Sequence, residues 1–234
     1  MTKPAPCVPM DRMVSTKSPG VTIHTVPLIA ATAESLRGYG TIVTDFENET
    51  VRIETWPQPD WRRVEPGTGD EGGITEGDFE IRRQGDLMVG RNHAVDGHYI
   101  TGWFTDPAVA TAEGTVPNYN HVLVREANYH PDGGQVFFPR ECAAFVALLA
   151  LPGDDVRPEH FIAFYFDGNF GVQIHPGIWH QPVFPLAERA VFKDKQGKVH
   201  ACVAVDFVKE FSTYLSVPLV KPPELLAAGV QATG

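Results

Sequence analysis

The chain of 234 residues has few cysteines, no excess of basic charge and no long apolar run. Its three cysteines, Cys7, Cys142 and Cys202, lie far apart and form no CxxC pair. That argues against a disulfide framework and fits reduced thiols in a cytoplasmic protein. No window approaches the roughly 18 apolar residues of a membrane-spanning helix, and the greasiest stretch, 142–152, is only about half a span. Residues 1–13 contain three prolines and an Asp but no apolar core, unlike a secretory leader. Lys and Arg number 19 against 29 Asp and Glu, a net charge of −10. With no Lys/Arg cluster of useful size, nucleic acid is excluded as a partner, and a lipid surface is disfavoured on the same ground. Internal repeats and low-complexity tracts are absent. There is no G-x-S-x-G elbow, so a serine hydrolase is unsupported. Gly168-Asn169-Phe170-Gly171 has no helix pattern after it, which removes a phosphate loop.

What is present is β-rich. Hydrophobic residues make up 43 %, with 22 Gly and 20 Pro, a turn-rich composition. Short segments with strand character recur, each bounded by Gly, Pro, Asp or Asn: 22–28, 41–46, 79–83, 86–89, 99–104, 121–129, 135–138, 145–151, 161–166, 171–174, 181–184, 190–193 and 200–206. That spacing predicts an all-β sandwich or barrel. Residues 31–37 predict one short N-terminal helix, capped by Thr32 and ended by Gly38 and Gly40. The expected organisation is a flexible arm over 1–21, a single β-barrel domain over 22–220 with a loop insertion at 56–77, and a tail over 221–234.

Two polar constellations stand out. In the run from Val124 to Gln135, alternation along a strand puts Glu126, Asn128 and His130 on one face. Pro131-Asp132-Gly133-Gly134 then turns the chain into Gln135. The plain alternative is a solvated hairpin. In the run from Gly171 to Pro182, Gln173 and His175 share a face, Pro176-Gly177 is a tight turn, and Trp179-His180 follow it. Imidazole serves equally as general base, metal ligand or packed core group. Arg91, Arg125 and Arg140 are possible carboxylate clamps. His24, His121, His160 and His200 show no pattern and read as structural.

These two segments, His130-Pro131-Asp132-Gly133-Gly134-Gln135 to Pro139 with Glu126 upstream, and His175-Pro176-Gly177-Ile178-Trp179-His180-Gln181-Pro182, resemble the ureidoglycolate lyase family. The entry segment, Thr25 to Leu28 with Tyr39-Gly40, also looks like that family's start. Pro176 to His180 looks like a second cupin motif. The resemblance implies a cupin-like double-stranded β-helix, that is, a jelly-roll barrel, and a homodimer acting on a small carboxylate. The implied reaction converts ureidoglycolate to glyoxylate and urea, as in allantoin degradation within purine catabolism. On this reading Glu126, His130, His175 and His180 are catalytic. Asn128, Gln135, Gln173, Trp179, Arg91 and Arg125 bind substrate. The four catalytic residues are also the expected ligands if a divalent ion (Ni, Mn or Zn) is held, although the His-x-His pair of a first cupin motif is absent. Asn128-Tyr129 departs from the acidic-basic pair expected before the histidine, which opens the possibility of a different substrate. The alternatives are another metal-dependent cupin enzyme (hydrolase, isomerase or oxygenase) and a non-catalytic carboxylate-binding module. Fold alone does not decide among them.

Overall fold

The structure, a computed structural model, describes residues 20–55, 60–110, 112–223 and 225. The expected arm and tail fall almost wholly outside these residues.

The chain enters through β1 (Thr22–Thr25) and β2 (Leu28–Ala30) and turns into β3 (Gly40–Val43). A meander of longer strands follows: β4 (Glu71–Gln84), β5 (Leu87–Asn92) and β6 (Gly97–Trp103). Next come β7 (His121–Val124), β8 (Glu126–Tyr129), β9 (Gln135–Pro139), β10 (Phe145–Ala150), β11 (Ile162–Phe166) and β12 (Gly171–Ile174). Two short strands, β13 (Trp179–His180) and β14 (Phe184–Pro185), precede the long β15 (Arg189–Val199). The order ends with β16 (Val203–Asp206), helix α1 (Phe207–Phe211) and β17 (Thr213–Pro218).

These strands build two sheets. The larger has ten strands in the order β1-β17-β7-β6-β5-β4-β15-β9-β12-β3, and the smaller runs β16-β8-β13-β10-β11-β2, with β14 added beside β10. The two-sheet, nearly all-β architecture fits a cupin-like barrel. Aromatic side chains close it: Phe145 stacks on Phe166 at 4.5 Å and meets Phe192 edge-on at 5.2 Å. Phe145 lies on β10 of the smaller sheet and Phe192 on β15 of the larger, so these faces look at each other across the core. Offset and edge-on aromatic pairs add to the area each ring buries.

Four expectations need correction. Residues 33–39 form turns, not a helix. The cap is present, since Thr32 Oγ1 accepts from the Ser35 amide at 3.0 Å. A single turn leaves the cost of helix nucleation unrecovered, and Gly38, at φ +90°, ends it at once. The 56–77 insertion is not loop throughout, because β4 begins at Glu71 and pairs with β15 as far as Val199. The 121–129 strand breaks at Arg125 and passes from the larger sheet to the smaller. The 181–184 strand is replaced by β13 and β14, placed on either side of it and both paired with β10.

Candidate active site

Ladder register determines which side chains meet. His180 lies opposite Asn128 on β8 and opposite Leu149 on β10. Directly opposed residues share a face, as do alternate residues of one strand. Leu149, Phe145, His180 and Asn128 therefore line the face of the smaller sheet that Phe145 presents to Phe192. On the larger sheet Phe192, Asp194 and Gln196 alternate on the facing side. Phe137 opposes Asp194, and Asn92 opposes Phe79, itself the partner of Phe192. Polar groups of both sheets thus look into one interior.

On the smaller sheet the imidazoles cluster. The His130 and His180 rings lie 5.1 Å apart, T-shaped, and His130 stacks on His200 at 4.1 Å with an interplanar angle of 4°. Partners define each tautomer, because a carbonyl only accepts. His130 Nδ1–H donates to the Ala201 carbonyl at 2.9 Å, and His180 Nδ1–H donates to the Ile178 carbonyl at 2.8 Å. Both rings therefore carry a lone pair on Nε2. His180 Nε2 is buried without a partner. His200 differs: its Nε2 accepts from the Gly197 amide at 3.1 Å, and its Nδ1–H donates to Asp132 Oδ1 at 3.1 Å. Asp132 Oδ2 accepts from the Ala201 amide at 2.8 Å. One carboxylate so fixes both His200 and the backbone unit that holds His130. Burial, with the neighbouring imidazoles, drives the His130 pKa well below the ordinary histidine value. Burial likewise lowers His180 to about 4. Both stay neutral at physiological pH.

Two carboxyls move the other way. Burial and the Asp206 charge outweigh Arg125 and raise Glu126 to about 7. Asp194 is raised to about 7 by burial, against the hydrogen bonds from Gln135 Nε2 (2.8 Å) and Asn92 Nδ2 (2.9 Å). The same two amides donate to Gln196 Oε1 at 2.8 and 3.0 Å. Buried carboxyls that titrate near neutrality have the proton affinity that acid–base work at pH 7 requires.

Several sequence-derived assignments are corrected. Gln173 opposes Val136, which packs with Val43, Phe46 and Val51 on the far side of the larger sheet; its amide binds the Thr50 carbonyl at 2.7 Å. It does not face the histidines. Trp179, next to His180, points to the opposite face, with its Nε1 on the Gly153 carbonyl at 2.9 Å and its ring against Tyr129. Arg91 is exposed, on the side of β5 opposite Asn92. The Arg125 guanidinium is committed to Asp206, at 3.0 Å from Nη2, and so is not a free clamp. Arg140 is engaged with Asp78. Gln135 reaches the interior but is held by Asp194. His175 remains half-buried on the turn after β12, and its side chain makes no hydrogen bond or ring contact with His130 or His180; only the turn's backbone reaches that pair, Gly177 N–H donating to the His130 carbonyl at 3.0 Å. Glu126, His130, His175 and His180 therefore do not gather as metal ligands. Among the described residues no three His, Cys, Asp or Glu side chains form a ligand set. Sequence reasoning missed Asp132, His200 and Asp194. The Asp132 turn was visible, but no spacing connects it to a histidine 68 residues away.

Among the described residues no helix is long and apolar enough to cross a membrane. The ureidoglycolate lyase family model matches residues 106–213. The ureidoglycolate lyase of Stutzerimonas stutzeri is 33 % identical over 91 residues, covering 38 % of this chain and 54 % of that protein. That of Azotobacter vinelandii is 38 % identical over 67 residues, covering 29 % and 40 %. That of Pseudomonas savastanoi is 36 % identical over 75 residues, covering 31 % and 44 %. The chain thus spans about half the length of the curated relatives it matches. Residues 106–213, which supply the imidazole cluster, Glu126, Asn128 and Asp194, are related to the ureidoglycolate lyase family.

Proposed function

We propose that the protein is a ureidoglycolate-type lyase, splitting the C–N bond of a small carbinolamide acid to release urea and glyoxylate. The observation that carries this reading is the pair of buried neutral imidazoles, His130 and His180, each held through Nδ1 with Nε2 as its acceptor, on the ladder face that Glu126 shares. The substrate carbon bears a hydroxyl, a carboxylate and a urea nitrogen. His180 Nε2 takes the hydroxyl proton, the O–H electron pair becomes the C=O bond of glyoxylate, and the C–N bond breaks. Protonated Glu126 delivers a proton to the departing nitrogen, so urea leaves neutral. His130, locked by Ala201 and stacked on His200, receives a substrate hydrogen bond at Nε2. A base that stays unprotonated and an acid that keeps its proton up to about pH 7 are the two states this elimination needs. No step passes through a metal.

Free Cys142 and Cys202 support a cytoplasmic setting. The test is release of urea and glyoxylate from racemic ureidoglycolate, with and without chelator. Stoichiometric release of both products, unchanged by chelator, is expected. No release by folded protein overturns the assignment, and loss on chelation overturns the metal-free mechanism.

A further inference from the structure

Among the described residues five side-chain carboxamides are buried: Asn92, Asn128, Gln135, Gln181 and Gln196. Four are bonded. Asn92 and Gln135 hold Asp194 and Gln196, Gln181 donates to the Glu126 carbonyl, and Gln196 donates to the Gly197 carbonyl. Asn128 alone, only 8 % exposed, has no side-chain hydrogen bond among the described residues. The residue is buried, yet its carboxamide atoms are not among the fully enclosed unpartnered ones, so they reach accessible space where a ligand or water completes them. Its ladder neighbours identify the place. It stands directly opposite His180, whose Nε2 is fully buried without a partner, and opposite Ala204 on β16.

We infer that Asn128 is the specificity residue of the site and recognises a neutral ureido group by two-point amide pairing. This rests on the lyase reading for the identity of the reaction, but not for the recognition itself. The Asn128 carboxamide offers one donor edge, Nδ2–H, and one acceptor, Oδ1. A ureido terminus offers the complement on one edge: a carbonyl oxygen that accepts and an adjacent NH2 that donates. A carboxylate at that position only accepts and leaves Oδ1 unmatched. A guanidinium only donates and leaves Nδ2–H unmatched. The pairing therefore selects the neutral planar amide over both charged analogues, while His180 Nε2 is left for the hydroxyl. A site built to hydrogen-bond its ligand rejects analogues that leave its buried polar groups unpaired.

Hydantoate is the probe, because it carries the ureido group and the carboxylate but lacks the hydroxyl and cannot be cleaved. Guanidinoacetate is its near-isostere with the carbonyl replaced. Calorimetry on the full chain is expected to show wild type preferring hydantoate by at least about 10-fold. Asn128→Asp, which only accepts, is expected to reverse that preference. Asn128→Ser, small enough for the ladder to keep its register, is expected to lower hydantoate affinity by about 10–100-fold, with circular dichroism and melting unchanged. Wild type without measurable hydantoate affinity, or either folded variant binding hydantoate as wild type does, overturns the proposal; a water then completes Asn128. Urea release from ureidoglycolate is scored separately. Asn128-dependent hydantoate binding without urea release refutes the lyase reading and leaves the recognition standing.

Discussion

At the scale of single residues, the interior is defined by groups held away from their ordinary protonation. Glu126, at about 7, lies above its unfolded value near 4.5, so the folded protein holds that proton more tightly. Its stabilising contribution is therefore full below about pH 4.5 and is lost as the pH rises through about 7. Glu126→Gln is expected to gain melting temperature relative to wild type from pH 5 to pH 8; a constant offset across that range would show that Glu126 is not raised. The same variant should lower kcat by about 10²–10⁴-fold and remove the alkaline limb of the rate profile, which otherwise falls near 7. His180, lowered to about 4, sets the acid limb, because only its neutral form accepts the hydroxyl proton. His180→Ala should lower kcat by a similar 10²–10⁴-fold while melting stays near wild type. A variant that melts several degrees lower yet keeps its activity per folded molecule would return His180 to the packed core. Asp132→Ala acts indirectly. It frees both His200 and the Ala201 unit, and misplacing His130 by about 1 Å should reduce kcat up to about 10²-fold with little change in KM.

At the scale of elements, close backbone approach governs how the site is framed. Gly134 enters β9, and a Cβ there would lie 2.5 Å from the Ile174 carbonyl oxygen of β12. Gly134→Ala must push these strands apart, at about 2 kcal/mol, which for a chain of this size lowers the melting temperature by about 4–8 °C. An unshifted melting curve would show that the β9–β12 ladder yields without penalty. Helix α1 is one turn capped by Asp206, whose side chain accepts from the Val208 amide at 3.1 Å and the Lys209 amide at 3.0 Å. Asp206 also binds Arg125 and faces Glu126 across the β8–β16 ladder. Asp206→Asn keeps a cap oxygen but removes the charge that raises Glu126, so the alkaline limb of activity should move to lower pH. A limb that stays in place would show that burial alone sets the Glu126 value.

At the scale of the molecule, two sheets close on one polar interior, while β1, β3, β16 and β2 remain as sheet edges. Exposed edges invite pairing, and two-fold association is the commonest way soluble chains protect them. A homodimer is the expected solution state, and light scattering at micromolar concentration returning the 25.7 kDa monomer mass would contradict it.

Local pattern was sufficient for the β-rich class, several of the strands between 135 and 174 and the alternation that puts Glu126 and Asn128 on one face, because alternation and turn residues are properties of neighbours along the chain. It failed where two faces were both covered. Parity correctly joined residues on one side of β12, but the far side is also buried, by the 43–51 segment, so Gln173 turned outward with nothing local to announce it. Trp179 and His180 are adjacent in sequence and separated by the thickness of a sheet. The Asp132–His200 contact and the Asp194 cage depend on segments that meet across 59 to 102 positions, and the place of Asn128 opposite His180 on a pairing just as far from local. Which face is interior, and therefore which polar groups lose water together, is decided only when the two sheets pack.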